Sequence, residues 1–309
     1  MKTLVTGADG FIGGALARLL VERGEEVVGL SRRAESAPAA PFERVHADLR
    51  DAAAVQAAVR LAKPERIFHL AALNHIPTSF AHAEETFEVN ALGTLHLLDA
   101  ARAVAQEAVF VSVGSSSEYG DAARDRAFVD EDAPLLPTSP YAISKVTQAL
   151  LCRQAHKTYG QRTIHVRPFA VIGPGKKGDA LTQFCERVVG IERGEATTLR
   201  VGNLEPVRDF IDVRDCARAL VLVADKAPGG GVVNVCNGAA VKLAELVEAL
   251  REVAGHTFEV VIDATQLRPV DDPRIVGDNA KLRALGYERA FSLAETVRDT
   301  LSRVRGTPP

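Results

Sequence analysis

A chain of 309 residues with a net charge of −3 and 25% charged residues is long enough to bury a large α/β core, and it carries no basic stripe, which argues against a nucleic-acid surface. The start, MKTLVTGADG, lacks the charged-then-apolar profile of a secretory leader, and no apolar run approaches a membrane span, so a cytoplasmic protein with no membrane partner is expected. Four cysteines, Cys152, Cys185, Cys216 and Cys236, lie far apart with no C-x-x-C, so buried reduced thiols are expected and no metal clamp.

In chain order, short β-branched runs predict strands at Thr3–Thr6, Glu26–Leu30, Phe42–Ala47, Arg66–Leu70, Val109–Val113 and Thr163–Arg167. Between them, helical patterns cover Phe11–Arg23, Ala52–Ala62, Glu84–Ala105 and Tyr141–Tyr159. Alternation of this kind predicts an α/β fold with a Rossmann-type doubly wound parallel sheet. After Pro168 the pattern loosens: IGPGKKGDA reads as a loop, and Val232–Val235 and Leu243–Ala254 are a strand and a helix of a smaller, mixed α/β C-terminal part that binds substrate. The expected division is a dinucleotide-binding domain over 1–168, to which about 209–240 returns, and a substrate-binding part over 169–309.

TGADGFIGGALARLL joins the first strand to the first helix. Gly7 permits the tight turn, Gly10 lets backbone approach a pyrophosphate and Gly13 lets helix and strand pack, while the N–H groups of Phe11, Ile12 and Gly13 open the helix toward the phosphates. The second strand ends in Ser31-Arg32-Arg33, where an arginine suits a 2′-phosphate and an acid would suit a free ribose hydroxyl, so NADP(H) is favoured over NAD(H). Asp48 and Leu49 follow the third strand, where they can meet the adenine; alternatively Asp48 caps the helix that starts near Ala52.

In SPYAISK, Tyr141 and Lys145 lie four apart on one helix face, and an ammonium beside a phenol lowers its pKa and makes it a proton donor and acceptor near neutral pH. With the glycine turn and the serines of VGSSSEYG, the chain resembles the extended short-chain dehydrogenase/reductase family, which acts on nucleotide sugars. HLAA at His69–Ala72, VNALGT, SSSEYG, SPYAISK, RPFAVIGPG, VRDFIDVRD and RPVDDPRIVGD carry the likeness along nearly the whole length. The resemblance implies Ser115 as the hydroxyl that polarises the sugar carbonyl, Tyr141 as acid/base and Lys145 as its tuner. It also implies Leu70, Ala71, Ala72 and Asn90 near the cofactor, Ser116 and Ser117 at the substrate, Arg208 and Arg268 on the diphosphate and Asp271 on a ribose hydroxyl. Family members commonly pair as homodimers through two long helices, for which Glu84–Ala105 and Tyr141–Tyr159 are the candidates here.

The branch turns on the residues after Ser115. Sugar 4,6-dehydratases of the family carry glutamate two positions beyond the hydroxyl to strip a proton from C5; with Tyr119-Gly120 fixing the frame, that position is Ser117. Glu118 is one residue along and, in an extended segment, points the other way. Gly202-Asn203-Leu204 resembles the GDP-mannose branch and, within it, the reductases of GDP-4-keto-6-deoxy-mannose that form GDP-D-rhamnose. The expected function is therefore NADPH-dependent reduction of the C4 ketone of a GDP-linked sugar. A 4-epimerase or 4,6-dehydratase of the same family, or more remotely a dinucleotide-sensing regulator, is the alternative. Ala170 departs from the asparagine that often follows R-P-F in the family, and Asn74 and His75 stand nearby in compensation, although a histidine before Ile-Pro can equally cap a turn.

Overall fold

A computed structural model describes residues 1–32, 41–266 and 272–307. Arg33, Arg268 and Asp271 lie outside the described residues. The first half of the described chain runs β1 (Lys2–Thr6), α1 (Phe11–Glu22), β2 (Glu26–Ser31), β3 (Glu43–His46), α2 (Ala52–Ala62), β4 (Arg66–His69), α3 (Ile76–Ala81), α4 (Ala83–Phe87), α5 (Gly93–Val104), β5 (Val109–Val113), α6 (Pro140–Tyr159) and β6 (Thr163–Pro168). It continues with β7 (Ala170–Ile172), α7 (Ala180–Glu192), β8 (Thr198–Val201), β9 (Val207–Arg208), β10 (Phe210–Asp212), α8 (Val213–Lys226) and β11 (Val232–Val235). β12 (Val241–Lys242), α9 (Leu243–Ala254), β13 (Glu259–Ile262), β14 (Arg274–Ile275), α10 (Ala280–Ala284) and α11 (Leu293–Arg305) complete it.

Seven strands form one parallel sheet in the order β11-β6-β5-β4-β1-β2-β3. The chain winds from β1 out to β3, then crosses back to β4, so the order reverses between β1 and β4. In open sheets of this kind ligands bind outside the carboxyl ends of the strands at such a reversal. The glycine turn after β1, Leu70–Ala72 after β4 and the serine loop after β5 all lie on that edge, because the strands are parallel.

Local chemistry fixes where the helices begin and end. Asp51 caps α2 by accepting from the Ala54 N–H, and Ser139 caps α6 by accepting from the Ala142 N–H, with Pro140 at the first helical position. α6 stops at Gly160, which takes the left-handed conformation at φ 71°. Leu16 and Leu20 of α1 pack with Leu220 and Val223 of α8 on one sheet face. On the other face Val55 and Val59 of α2 meet Leu97 and Ala101 of α5 and Cys152 of α6. A separate core joins α7, α9 and α11 through Val188, Leu246, Leu250 and Val297 over Leu199 of β8.

One predicted element is broken. The continuous helix expected over Glu84–Ala105 is three pieces, with a wide π-turn at Glu88–Leu92 between α4 and α5. The extra residue in that turn presents Asn90 to Leu73 and to Ser144, and such bulges recur at functional sites.

Candidate active site

The glycine turn is built for close approach. Gly7 has φ 71°, and a Cβ on Gly13 would stand 2.1 Å from the Gly7 carbonyl oxygen. Gly10 caps α1 with no side chain of its own to bond the helix start, and among the described residues no side chain accepts from the first N–H groups of α1. That is a cradle for an anionic pyrophosphate, and its residue types fit a dinucleotide.

At the adenosine end the structure adjusts the sequence reading. Asp48 does not cap α2; Asp51 does. The Asp48 carboxylate instead takes a two-pronged bond from Arg50, at 2.7 Å from Nη2 and 3.1 Å from Nε, which holds its carboxyl down at about 2. Arg32 is exposed at the end of β2, its carbonyl accepting from His46 Nε2. Arg44 was not singled out from the sequence, yet it reaches from β3 to Asp9 of the glycine turn at 2.9 Å.

Behind β4 a neutral histidine ties three elements together. Burial drives the His69 ring down to about 3. Thr94 donates to the Asn90 carbonyl, so His69 Nε2 donates to Thr94 and Nδ1 accepts from Thr6. Thr6 Oγ1 in turn receives the Leu70 and Ala71 N–H groups and fixes the strand end beside Gly7. Asn90 was expected at the cofactor ribose. Its amide is committed elsewhere: Oδ1 accepts from Leu73 N, and Nδ2 donates to the Leu73 carbonyl and to Ser144 Oγ. It serves the site by holding the loop after β4 against the first turn of α6. His75 is a cap for α3, accepting from Thr78 N.

Ser115, Tyr141 and Lys145 come together at the carboxyl end of β5. Tyr141 is placed by Ser79, whose hydroxyl accepts its N–H, and by Ser144, which donates to its carbonyl. Its phenol hydrogen-bonds with the Ser115 hydroxyl. Ser115 Oγ accepts both the N–H and the O–H of Ser117, at 3.2 and 2.9 Å, so its own proton is the one shared with the Tyr141 phenol. Ser117 thus bonds Ser115 through both its N–H and its hydroxyl. Lys145 Nζ donates to the Val113 carbonyl at 2.8 Å and to Gln148 at 2.9 Å.

The expected lowering of the phenol pKa by Lys145 is not what the structure gives. The ammonium lies 6.0 Å from the Tyr141 ring centre, and burial dominates. Burial pushes the phenol up to about 12 against the Ser115 hydrogen bond, and it pulls Lys145 down to about 8. The phenol is thus protonated at neutral pH and ready to give its proton away.

Glu118, the acid next to the dehydratase position, is fully buried. The segment is not extended: Ser116–Glu118 is a single tight turn with Ser115 as its cap, and three residues per turn bring Glu118 underneath Ser115. Its carboxylate is taken by the Ser115 N–H, His165 and Arg167.

A cleft of about 520 Å³ opens in the C-terminal part, lined by Ala170, Lys176, Arg187, Asn203, Arg208 and Phe210 among others. The reacting trio is not among its lining residues. Arg208 is held there by the carbonyls of Val207 and Asp272. Ala170, small where the family often has asparagine, widens this cleft. Lys176, in the segment IGPGKKGDA whose composition predicts a loop, lines the cleft and lies 5.8 Å from the Phe11 ring at the start of α1, joining the cleft to the glycine turn. The Lys-Lys pair after Gly-Pro-Gly was the signal available for it.

A glycine cradle at the reversal of a parallel sheet, beside a Ser-Tyr-Lys trio, defines an NAD(P)-dependent oxidoreductase of the extended short-chain dehydrogenase/reductase class. Comparison with known proteins narrows this. The model of the GDP-mannose 4,6 dehydratase family matches residues 4–300, and the chain belongs to that family. It is 32% identical to a GDP-6-deoxy-D-mannose reductase of Pseudomonas aeruginosa over 77% of this chain and 80% of that one. It is also 33% identical to a UDP-glucose 4-epimerase of Mycolicibacterium smegmatis over 99% of each. Among solved structures, RMD from Pseudomonas aeruginosa complexed with NADPH superposes with a TM-score of 0.86 at 29% identity, covering 99% of both chains.

Proposed function

We propose that the chain reduces the C4 ketone of GDP-4-keto-6-deoxy-D-mannose with NADPH, giving GDP-D-rhamnose. One observation sets this reading apart from a dehydratase of the family. The loop after β5 offers the reacting carbon a hydroxyl donor and a protonated phenol but no carboxylate: position 117 is serine, and Glu118 is turned inward onto His165 and Arg167. A serine hydroxyl is too weak a base to strip a proton from carbon. The likeness to the Pseudomonas reductase and to its NADPH complex supports this reading, and so does Arg32 at the end of β2.

The N–H groups of Phe11, Ile12 and Gly13, with Gly7 and Gly10, would hold the pyrophosphate, Leu70–Ala72 would border the ribose, and Arg32 and Arg33 would take the 2′-phosphate. Leu49, with Asp48, would cover the adenine. When bound, the reduced nicotinamide supplies the hydride. Ser115 would donate a hydrogen bond to the carbonyl oxygen and keep its proton, and Tyr141 would deliver the single proton that oxygen takes up as charge develops there. Lys145, fixed by Val113 and Gln148, provides the positive field for that transfer. Arg208, with Arg268 and Asp271, would bind the GDP end in the C-terminal part, 169–309, while 1–168 and about 209–240 carry the cofactor.

Two copies would pair through α5, the π-turn before it and α6, where Leu92 of the turn and Ile143 and Leu150 of α6 are 44%, 42% and 56% exposed. The function is tested by following NADPH absorbance with freshly generated GDP-4-keto-6-deoxy-D-mannose. Tyr141→Phe, which keeps the ring and removes the proton, is expected to slow oxidation of NADPH by about a hundredfold or more. Undiminished turnover in that variant contradicts the assignment.

A further inference from the structure

A buried carboxylate lies beneath Ser115 and has no part in the proton transfer just described. Glu118 Oε1 accepts from the Ser115 N–H and from His165 Nε2, each at 2.9 Å, and Oε2 accepts from Arg167 Nε at 2.8 Å. Because a carboxylate only accepts, His165 donates through Nε2, and its Nδ1 faces Ser112 Oγ at 3.2 Å. Arg167 is anchored in turn: Nη1 donates to the Tyr119 hydroxyl at 3.0 Å, its guanidinium lies 4.8 Å from the Tyr119 ring centre, and Tyr119 donates to Asn234 at 2.6 Å. The chain of contacts runs from β11 through β6 to the one backbone N–H that belongs to the reacting serine. The glycine before that serine follows from it. A Cβ on Gly114 would stand 2.0 Å from Glu118 Oε1 and 2.3 Å from His165 Nε2.

A buried ion cluster is a poor device for stability alone, since desolvating its members offsets most of their attraction. One placed directly under a reacting hydroxyl serves a purpose there. We propose that Glu118 is a positioning residue: it pins the Ser115 backbone so that the hydroxyl is aimed at the reacting oxygen, and, bonded two residues along from the Val113 carbonyl that holds Lys145, it supplies a fixed negative charge to that end of the site. Lys145 faces Glu118 from the loop after β5, His69 from β4, and Tyr141 and Cys152 from its own helix; Glu118 itself faces His165 and Arg167, with Tyr119 and Glu131 beyond them. Burial lowers the Lys145 pKa, and Glu118 is foremost among the groups that oppose it. Burial raises the Tyr141 pKa, the Ser115 bond opposes, and Glu118 adds to the rise. The Glu118 carboxyl is itself pushed up by burial, but His165 and Arg167 outweigh that and hold it below its usual range.

The proposal rests on the site being one that delivers a proton, and its test has an arm that needs no sugar. Full-length protein labelled with ¹³C at lysine Cε is titrated by NMR, the Lys145 resonance being assigned by its loss in Lys145→Met. In the parent it is expected to titrate at about 8, where burial places it. In Glu118→Gln the midpoint is expected to fall by about one pH unit or more, a change of local charge that a merely structural role would not produce. In Glu118→Asp, which keeps the charge but is one carbon too short to hold Ser115 and Arg167 together, the midpoint stays while kcat for reduction falls about tenfold with KM unchanged. Adding Glu118→Asp to Ser115→Ala costs little further kcat, because the positioning role acts through that one hydroxyl. A folded Glu118→Gln protein with an unmoved Lys145 midpoint overturns the charge role, and kcat within twofold of the parent in Glu118→Asp overturns the positioning role. Where Glu118→Gln does not fold, Glu118→Asp decides alone by its kcat and KM. A parent that oxidises no NADPH refutes the reductase reading separately, and the NMR shift still judges Glu118.

Discussion

The glycine turn offers a sharp paired test, because two neighbouring glycines of α1 face different surroundings. A methyl group at Gly13 would lie 2.1 Å from the Gly7 carbonyl oxygen, 2.8 Å from its carbonyl carbon and 3.2 Å from Ala8 Cα. All three are backbone atoms of the turn itself, so none can rotate away, and relief requires the start of α1 to retreat from the turn by roughly 1 Å. Overpacking of this kind costs about 1–3 kcal/mol. If the cost falls on the geometry of the cradle, dinucleotide affinity drops by roughly 5- to 150-fold, since each ~1.4 kcal/mol is a factor of ten. At Gly14 the same methyl meets only the Ala8 carbonyl oxygen at 3.4 Å and the end of Arg18 at 3.6 Å, ordinary contacts. Gly14→Ala should therefore leave affinity unchanged and, by stiffening the helix, raise stability by about 0.5–1 kcal/mol. Quenching of protein fluorescence or titration calorimetry with NADPH, together with thermal melting, reads both variants. Equal affinities for Gly13→Ala and Gly14→Ala would refute the claim that the turn holds the pyrophosphate by close packing.

Three further outcomes are expected. The Lys145 pKa is lowered by burial from 10.5 to about 8, so the ammonium is present below that pH and lost above it; kcat/KM for reduction should hold up to about pH 8 and fall beyond, and a profile flat to pH 10 would contradict the role of Lys145. Asn90→Ala removes three hydrogen bonds that tie Leu73 to the start of α6, and it should cost about 1–3 kcal/mol in chemical denaturation and weaken cofactor binding; wild-type values in both would show that the π-turn has no part in the site. Leu150→Glu places a charge on the exposed face of α6 and should convert a dimer to a monomer in sedimentation experiments, whereas an unchanged mass would remove that face as the interface.

The sequence made the parallel sheet legible because strand periods and crossover helices alternate so regularly, and the predicted Val109–Val113 and Ala52–Ala62 agree with the structure to the residue. The grouping of Ser115, Tyr141 and Lys145 was legible because its spacing is local: Tyr141 and Lys145 share a helix face, and Ser115 follows a strand. What escaped depends on contacts across the chain. The π-turn at Glu88–Leu92 has no composition of its own and exists because Asn90 finds Leu73 and Ser144. The inward turn of Glu118 depends on His165 and Arg167, about fifty residues away. The phenol pKa was misjudged because spacing shows that an ammonium is near but not that both groups are desolvated. Arg44 and Lys176 are ordinary charges in the sequence and become site residues only once β3 lies beside the glycine turn and the loop after β7 reaches Phe11.

The most direct test of the central claim is product analysis by NMR of two reactions run side by side with purified protein. Given NADPH and GDP-4-keto-6-deoxy-D-mannose, the protein should form GDP-D-rhamnose with one NADPH consumed per sugar, and given GDP-mannose with NADP⁺ or NAD⁺ it should leave the sugar intact. Formation of the keto sugar from GDP-mannose by this protein alone would show that the site contains a base for carbon, and the account would fail.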